Sequence, residues 1–147
     1  MKNFKIILVA LFIVAIGCPM IGWAHDKRGT LGADASATDF YKITCSDDGR
    51  GPAGKLSLDA ENVSAPNSAP LNVQIFKDDH NLYMSTTDNV GEDNQTSPSL
   101  TAIGGSGNYS VLVDKSGVGK VKYSLDFHCE TLGGVHTGTD IRIEQDQ

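Results

Sequence analysis

Val121-Lys122-Tyr123-Ser124-Leu125-Asp126-Phe127-His128-Cys129 decides the fold, together with Tyr109-Ser110-Val111-Leu112-Val113-Asp114 just before it. Side chains of a strand alternate between faces, so Val121, Tyr123, Leu125, Phe127 and Cys129 share one side and Lys122, Ser124, Asp126 and His128 the other. The first side is apolar and the second solvated. A thiol therefore points into a core, and an imidazole points out of it.

The same period recurs along the chain. Tyr41, Ile43 and Cys45 oppose Phe40, Lys42 and Thr44; Leu56, Leu58 and Ala60 oppose Lys55, Ser57, Asp59 and Glu61; Val73 and Ile75 repeat the pattern. Further short strands are expected at residues 82–85, 100–103 and around Ile141-Arg142-Ile143. Turn-forming stretches separate them, at 46–54, 62–70, 77–81 and 86–99, the last read as a mobile loop. No window after residue 24 has helical periodicity. About eight short strands of this kind predict an all-β antiparallel sandwich or jelly roll.

Ahead of it, Lys2 and Lys5 precede an apolar run over residues 6–21 and the small-residue site Gly22-Trp23-Ala24. That is the pattern of a secretory signal peptide cut after Ala24, and the run is short for a membrane span. Ala15-Ile16-Gly17-Cys18 offers lipid attachment at Cys18 as an alternative, without the usual Leu three residues before the Cys. Residues 1–24 are thus read as leader, 25–38 as an aperiodic arm and 39–147 as the sandwich.

Loss of the leader leaves 10 Lys plus Arg against 18 Asp plus Glu, a formal charge near −8. Such a surface disfavours nucleic acid and, once the leader is gone, anionic membrane. Cleavage also removes Cys18, so Cys45 and Cys129 are the pair that an oxidising periplasmic or extracellular compartment would join.

Four blocks, Asp39-Phe40-Tyr41-Lys42-Ile43, Gly54-Lys55-Leu56-Ser57-Leu58, Gly107-Asn108-Tyr109-Ser110-Val111-Leu112-Val113 and Tyr123-Ser124-Leu125, resemble the layout of bacterial pre-peptidase C-terminal domains. The resemblance implies a compact, non-catalytic β-sandwich, an accessory module of secreted hydrolases associated with secretion or polymer binding. No protease domain is read within residues 1–147.

Motifs for catalysis are weak. Gly49-Arg50-Gly51-Pro52-Ala53-Gly54-Lys55 imitates a phosphate loop, but a strand and not a helix follows it. Gly104-Gly105-Ser106-Gly107 imitates a nucleophile elbow, but Asn108 stands where the second glycine belongs. The chain reads as non-enzymatic.

Metal chemistry has more to stand on. His25 would become the new N-terminus, whose amine and imidazole suit Cu(II), with Asp26, His128 and His136 as further ligands. Asp78, Asp79, Asp88, Glu92 and Asp93 lie in turns and carry the oxygens Ca²⁺ takes. The expectation is an exported binding module that meets an extracellular polymer or protein through the loops 46–54, 62–70 and 86–99. Its rival is a periplasmic copper-binding protein built on His25. An apolar strip on an edge strand would make the chain a homo-oligomer subunit.

Intact-mass spectrometry of the exported product is expected to show a chain starting at His25, with Cys45 and Cys129 oxidised. A mass that includes residues 1–24 would refute the leader, and an acylated chain starting at Cys18 would replace cleavage after Ala24 with lipid attachment.

Overall fold

In the computed structural model, which describes residues 25–147, alternation becomes nine strands: β1 His25–Leu31, β2 Asp39–Ser46, β3 Lys55–Asn62, β4 Leu71–Lys77, β5 Leu82–Asp88, β6 Leu100–Ala102, β7 Gly107–Lys115, β8 Val121–Glu130 and β9 Gly138–Gln145. The proposed leader and Cys18 lie outside the described residues. The strands form two antiparallel sheets, ordered β1-β8-β3-β6 and β5-β4-β7-β2-β9. Each connection crosses between sheets except the β4–β5 turn, a 3₁₀ turn at Asp78–His80 closed by Asn81 at φ 47°.

Crossing follows from the two stripes read in sequence. Tyr109, Val111 and Val113 of β7 face Val121, Tyr123, Leu125 and Phe127 of β8 across the core, and all seven are essentially inaccessible to solvent. Burial of each Val, Leu or Phe side chain among them contributes about 1.5–3 kcal/mol. Cys45 of β2 and Cys129 of β8 form the disulfide, with Cα atoms 5.5 Å apart and a sequence separation of 84. The bond therefore joins one sheet to the other.

Two expectations need correction. Residues 25–38 are not wholly an arm, because His25–Leu31 pairs with Phe127–Val121 along its whole length. An edge strand of this kind needs little apolar content: Leu31 enters the core, and Gly29 makes room for Tyr123, whose hydroxyl would lie 2.3 Å from an added Cβ. Nor are residues 86–99 a free loop. Thr86–Asp88 completes β5, and the remainder fastens along the exposed side of β3. Ser97 N donates to Ala60 O at 2.7 Å, Ser97 Oγ accepts Ala60 N at 3.1 Å, and Glu92 N donates to Asn62 O at 3.1 Å. An unpaired strand edge is thereby covered.

The core also contains polar groups. Asp39 is fully buried and accepts hydrogen bonds from the Tyr123 hydroxyl and, at 2.7 Å, from Gln147 N. The Tyr41 hydroxyl is 2.5 Å from that of Tyr123. Burial pushes the Tyr41 phenol up to about 12 from its ordinary 10, the hydrogen bond shared with Tyr123 working against the shift. Burial raises Tyr123 still further, reinforced by its bonds to Asp39 and Tyr41.

A folded-state phenol that holds its proton to higher pH stabilises the fold below the unfolded value and loses that contribution above it. Alkaline denaturation is therefore expected to set in above pH 10. Tyr41 and Tyr123 should ionise together with loss of the near-ultraviolet dichroism. Phenolate absorbance from both residues in a fully folded chain would contradict the burial argument.

Candidate metal centre

The outward face of the four-stranded sheet collects the side chains with chemistry to offer. Along β8, Ser124, Asp126, His128 and Glu130 alternate with the buried stripe and project outward. After Glu130 the chain turns through Gly133-Gly134, with Gly134 at φ +83°, and comes back alongside itself. Thr131 N donates to Val135 O at 2.8 Å and Thr137 N to Cys129 O at 2.9 Å, so His136 lies directly across from Glu130. Thr137 anchors this return: it is buried, and its hydroxyl donates to Ser46 O at 2.7 Å.

Three ligand-capable groups converge as a result. One atom from each of His128, Glu130 and His136 lies within 4.8 Å of the other two. Glu130 Oε1 is 3.2 Å from His128 Nε2 and 3.7 Å from His136 Nε2. Its other oxygen, Oε2, is 2.7 Å from Lys55 Nζ, across the β3–β8 pairing. Side-chain exposures of 24% for His128, 13% for Glu130 and 31% for His136 make the group sheltered but reachable. The imidazoles are stacked, with centroids 4.4 Å apart and planes 10° from parallel.

His128 has a second neighbour. Its Nδ1 is buried without a hydrogen-bond partner, and Asp126 Oδ1 is 3.7 Å away. Beyond it lies a row of three carboxylates in register across three strands, Asp26 on β1, Asp126 on β8 and Asp59 on β3. With Glu61, Ser124 and Thr96 they line a shallow groove. Burial raises the Asp59 carboxyl, a hydrogen bond from Ser99 opposes this, the neighbouring Asp126 charge raises it further, and His128 lowers it. Burial also pushes Glu130 up, but Lys55 together with His128 and His136 holds it below its ordinary 4.5. Whatever stability Glu130 contributes is thus present above that value and lost as pH falls through the folded-state pKa.

Of the copper ligands expected from sequence, His128 and His136 come together and Asp26 joins the neighbouring row. His25 does not join them. It pairs with Phe127 and leans on that ring at 5.9 Å, on the face opposite His128. The calcium candidates fall into two groups at opposite ends of β5. Asp78 and Asp79 sit in the turn before it, where hydrogen bonding from His80, foremost, lowers Asp79. Asp88 closes the strand, its buried carboxylate accepting Asn62 N at 2.7 Å and Val90 N at 3.2 Å, while Asp93 accepts Gln95 N at 3.0 Å. Glu92 is at φ 52° beyond them.

Glu130 is the member that sequence reasoning missed. The signal was present: two residues after His128 on an alternating strand, it shares that face, and the paired glycines bring His136 back to it. Comparison of the chain with family models, with curated proteins and with solved structures returned no match.

Replacing Lys55 with Met is expected to raise the Glu130 pKa, because burial then acts without its main opponent. A carbon-detected NMR titration of the Glu130 carboxyl in both forms reads this directly. Superimposable curves would mean that Lys55 does not hold the carboxylate.

Proposed function

We propose that this chain is an exported, non-enzymatic binding module that takes a cationic ligand on the outward face of its four-stranded sheet. The observation that carries the reading is the in-register row Asp26–Asp126–Asp59. Like charges directly opposite one another on neighbouring strands are destabilising, and a bound cation relieves them. The resemblance of its sequence blocks to pre-peptidase C-terminal domains, which are accessory and non-catalytic, supports this reading, as do the inter-sheet disulfide and the net negative charge. Among the described residues no helix is long and apolar enough to cross a membrane.

The end loops make a poorer contact surface. The 46–54 stretch precedes β3 and the 62–70 stretch follows it, so an eight-residue strand separates them. At about 3.3 Å per residue they are some 25 Å apart. Residues 89–99 are spent on covering β3. A polymer or protein gripped by all three at once would have to span the length of the sandwich.

Amide NMR of the mature chain, titrated separately with Ca²⁺, Mg²⁺, Zn²⁺ and a short oligolysine peptide, tests the proposal. At least one cation is expected to shift resonances of β1, β3 and β8 around Asp26, Asp59 and Asp126. Shifts confined to the loops at either end, or none with any probe, would overturn it.

A further inference from the structure

The geometry points to a binding site for one borderline divalent transition-metal ion at His128, Glu130 and His136, with Asp126 as the positioning residue that orients His128. This inference rests on the cation-binding reading above and names the ion class for one part of that face. Two neutral imidazole nitrogens and one carboxylate oxygen match the preference of Zn²⁺, Ni²⁺ and Cu²⁺, whereas Ca²⁺ and Mg²⁺ require oxygen. Lys55 decides which oxygen is available. It occupies Glu130 Oε2, leaving Oε1, the atom that faces both Nε2 atoms, as a single donor. Three protein ligands leave a tetrahedral ion one position for water.

Two details of the apo geometry fit together under this assignment. A metal lies in the plane of each imidazole it binds, at about 2.0–2.1 Å from nitrogen. Stacked planes separated as these are share no such point, so one ring must turn before a single ion can take both. His128 is the ring with somewhere to go. Its Nδ1 has no partner and lies 3.7 Å from Asp126 Oδ1, just beyond hydrogen-bond reach. Turning the ring closes that gap, places the proton on Nδ1 against Asp126, and leaves the Nε2 lone pair for the ion. Metal-binding histidines commonly hold a carboxylate on the far nitrogen in this way. The backbone needs no change, because the Glu130–His136 bridge and the Thr137 anchor already fix the three Cα positions.

Isothermal titration of the mature, oxidised chain with Zn²⁺, Ni²⁺ and Cu²⁺, with Ca²⁺ as control, provides the test. One Zn²⁺ per chain is expected. Affinity should fall more than tenfold in His136→Ala and in Glu130→Gln, two exposed-face changes whose folding is checked by circular dichroism. Asp126→Asn should weaken Zn²⁺ by roughly 10–100-fold, with Asp126→Glu recovering part of the loss. Nitrogen-15 NMR of the His128 ring should show Nε2 bound and Nδ1 protonated in the wild type, a signature that a merely structural role for Asp126 would leave unmoved in the Asn variant.

Undiminished Zn²⁺ affinity in His128→Ala/His136→Ala overturns the site, as does Cu²⁺ binding that only an added N-terminal Ala removes, since that ion would belong to His25. Ca²⁺ shifts along the aspartate row without Zn²⁺ binding would sink this inference and leave the broader reading standing. If no cation binds, both fall.

Discussion

Cys45 and Cys129 come from different sheets, and the bond between them ties down the end of the sandwich where the candidate site lies. His128 and Glu130 are the residues on either side of Cys129. Its backbone carbonyl accepts Thr137 N, and its amide donates to Thr139 Oγ1 at 2.9 Å. The residue after Cys45, Ser46, accepts the Thr137 hydroxyl. One covalent link therefore fixes two members of the His128–Glu130–His136 group directly and the third through Thr137. Closing a loop of 84 residues is worth an upper estimate of roughly 4.5 kcal/mol in chain entropy. Its positional consequence is local: the end of β8 has nowhere to drift, so the outward face keeps its register.

The same economy governs the ends of the apolar stripes. Lys77 and Lys115 continue the buried phase of β4 and β7, where a charge would be costly if left unpaired. Both reach backbone carbonyls. Lys77 donates to Ser106 O at 3.0 Å and lies 4.5 Å from the centre of the Tyr109 ring; Lys115 donates to Asp34 O and Gly117 O. This gives the Gly104-Gly105-Ser106-Gly107 turn a purpose that its likeness to a nucleophile elbow obscures. A Cβ at Gly104 would sit 2.5 Å from the Lys77 chain. The glycines make room for a lysine stem, and Ser106 contributes its carbonyl.

How far this was legible in the sequence depends on how local each signal is. Strict alternation from Tyr41 to Cys45, Leu56 to Ala60 and Val121 to Cys129 marks faces unambiguously, and with the faces goes the pairing of the two thiols. Strand β1 was invisible because His25-Asp26-Lys27-Arg28 is polar at every position. An edge strand that buries only its last residue leaves no period to detect. Asp39 and Lys77 share the phase of apolar stripes, yet the charge of Lys77 argued for a turn, and only tertiary partners explain the burial of both. For the site, period two put His128 outward beside the disulfide. It could not show that Glu130 would stand between two imidazoles, because that depends on the Gly133-Gly134 turn returning in a particular register.

Charge arrangement separates the two halves of the outward face. Lys55 and the flanking imidazoles keep Glu130 readily ionised, so its oxygen is an available donor near neutral pH. Asp59, half-sheltered beside Asp126, is instead pushed towards its neutral form by burial and a like charge. Arg28, at 3.4 Å from Asp26, compensates only one end of the aspartate row. An oxygen-rich strip that repels itself and a mixed nitrogen–oxygen group at its border are different chemical environments on one sheet. His128 touches both, with Nε2 towards Glu130 and Nδ1 towards Asp126. A cation that changes the position of that single ring therefore alters the electrostatics of the whole row, and the two halves should respond to ligands as one surface.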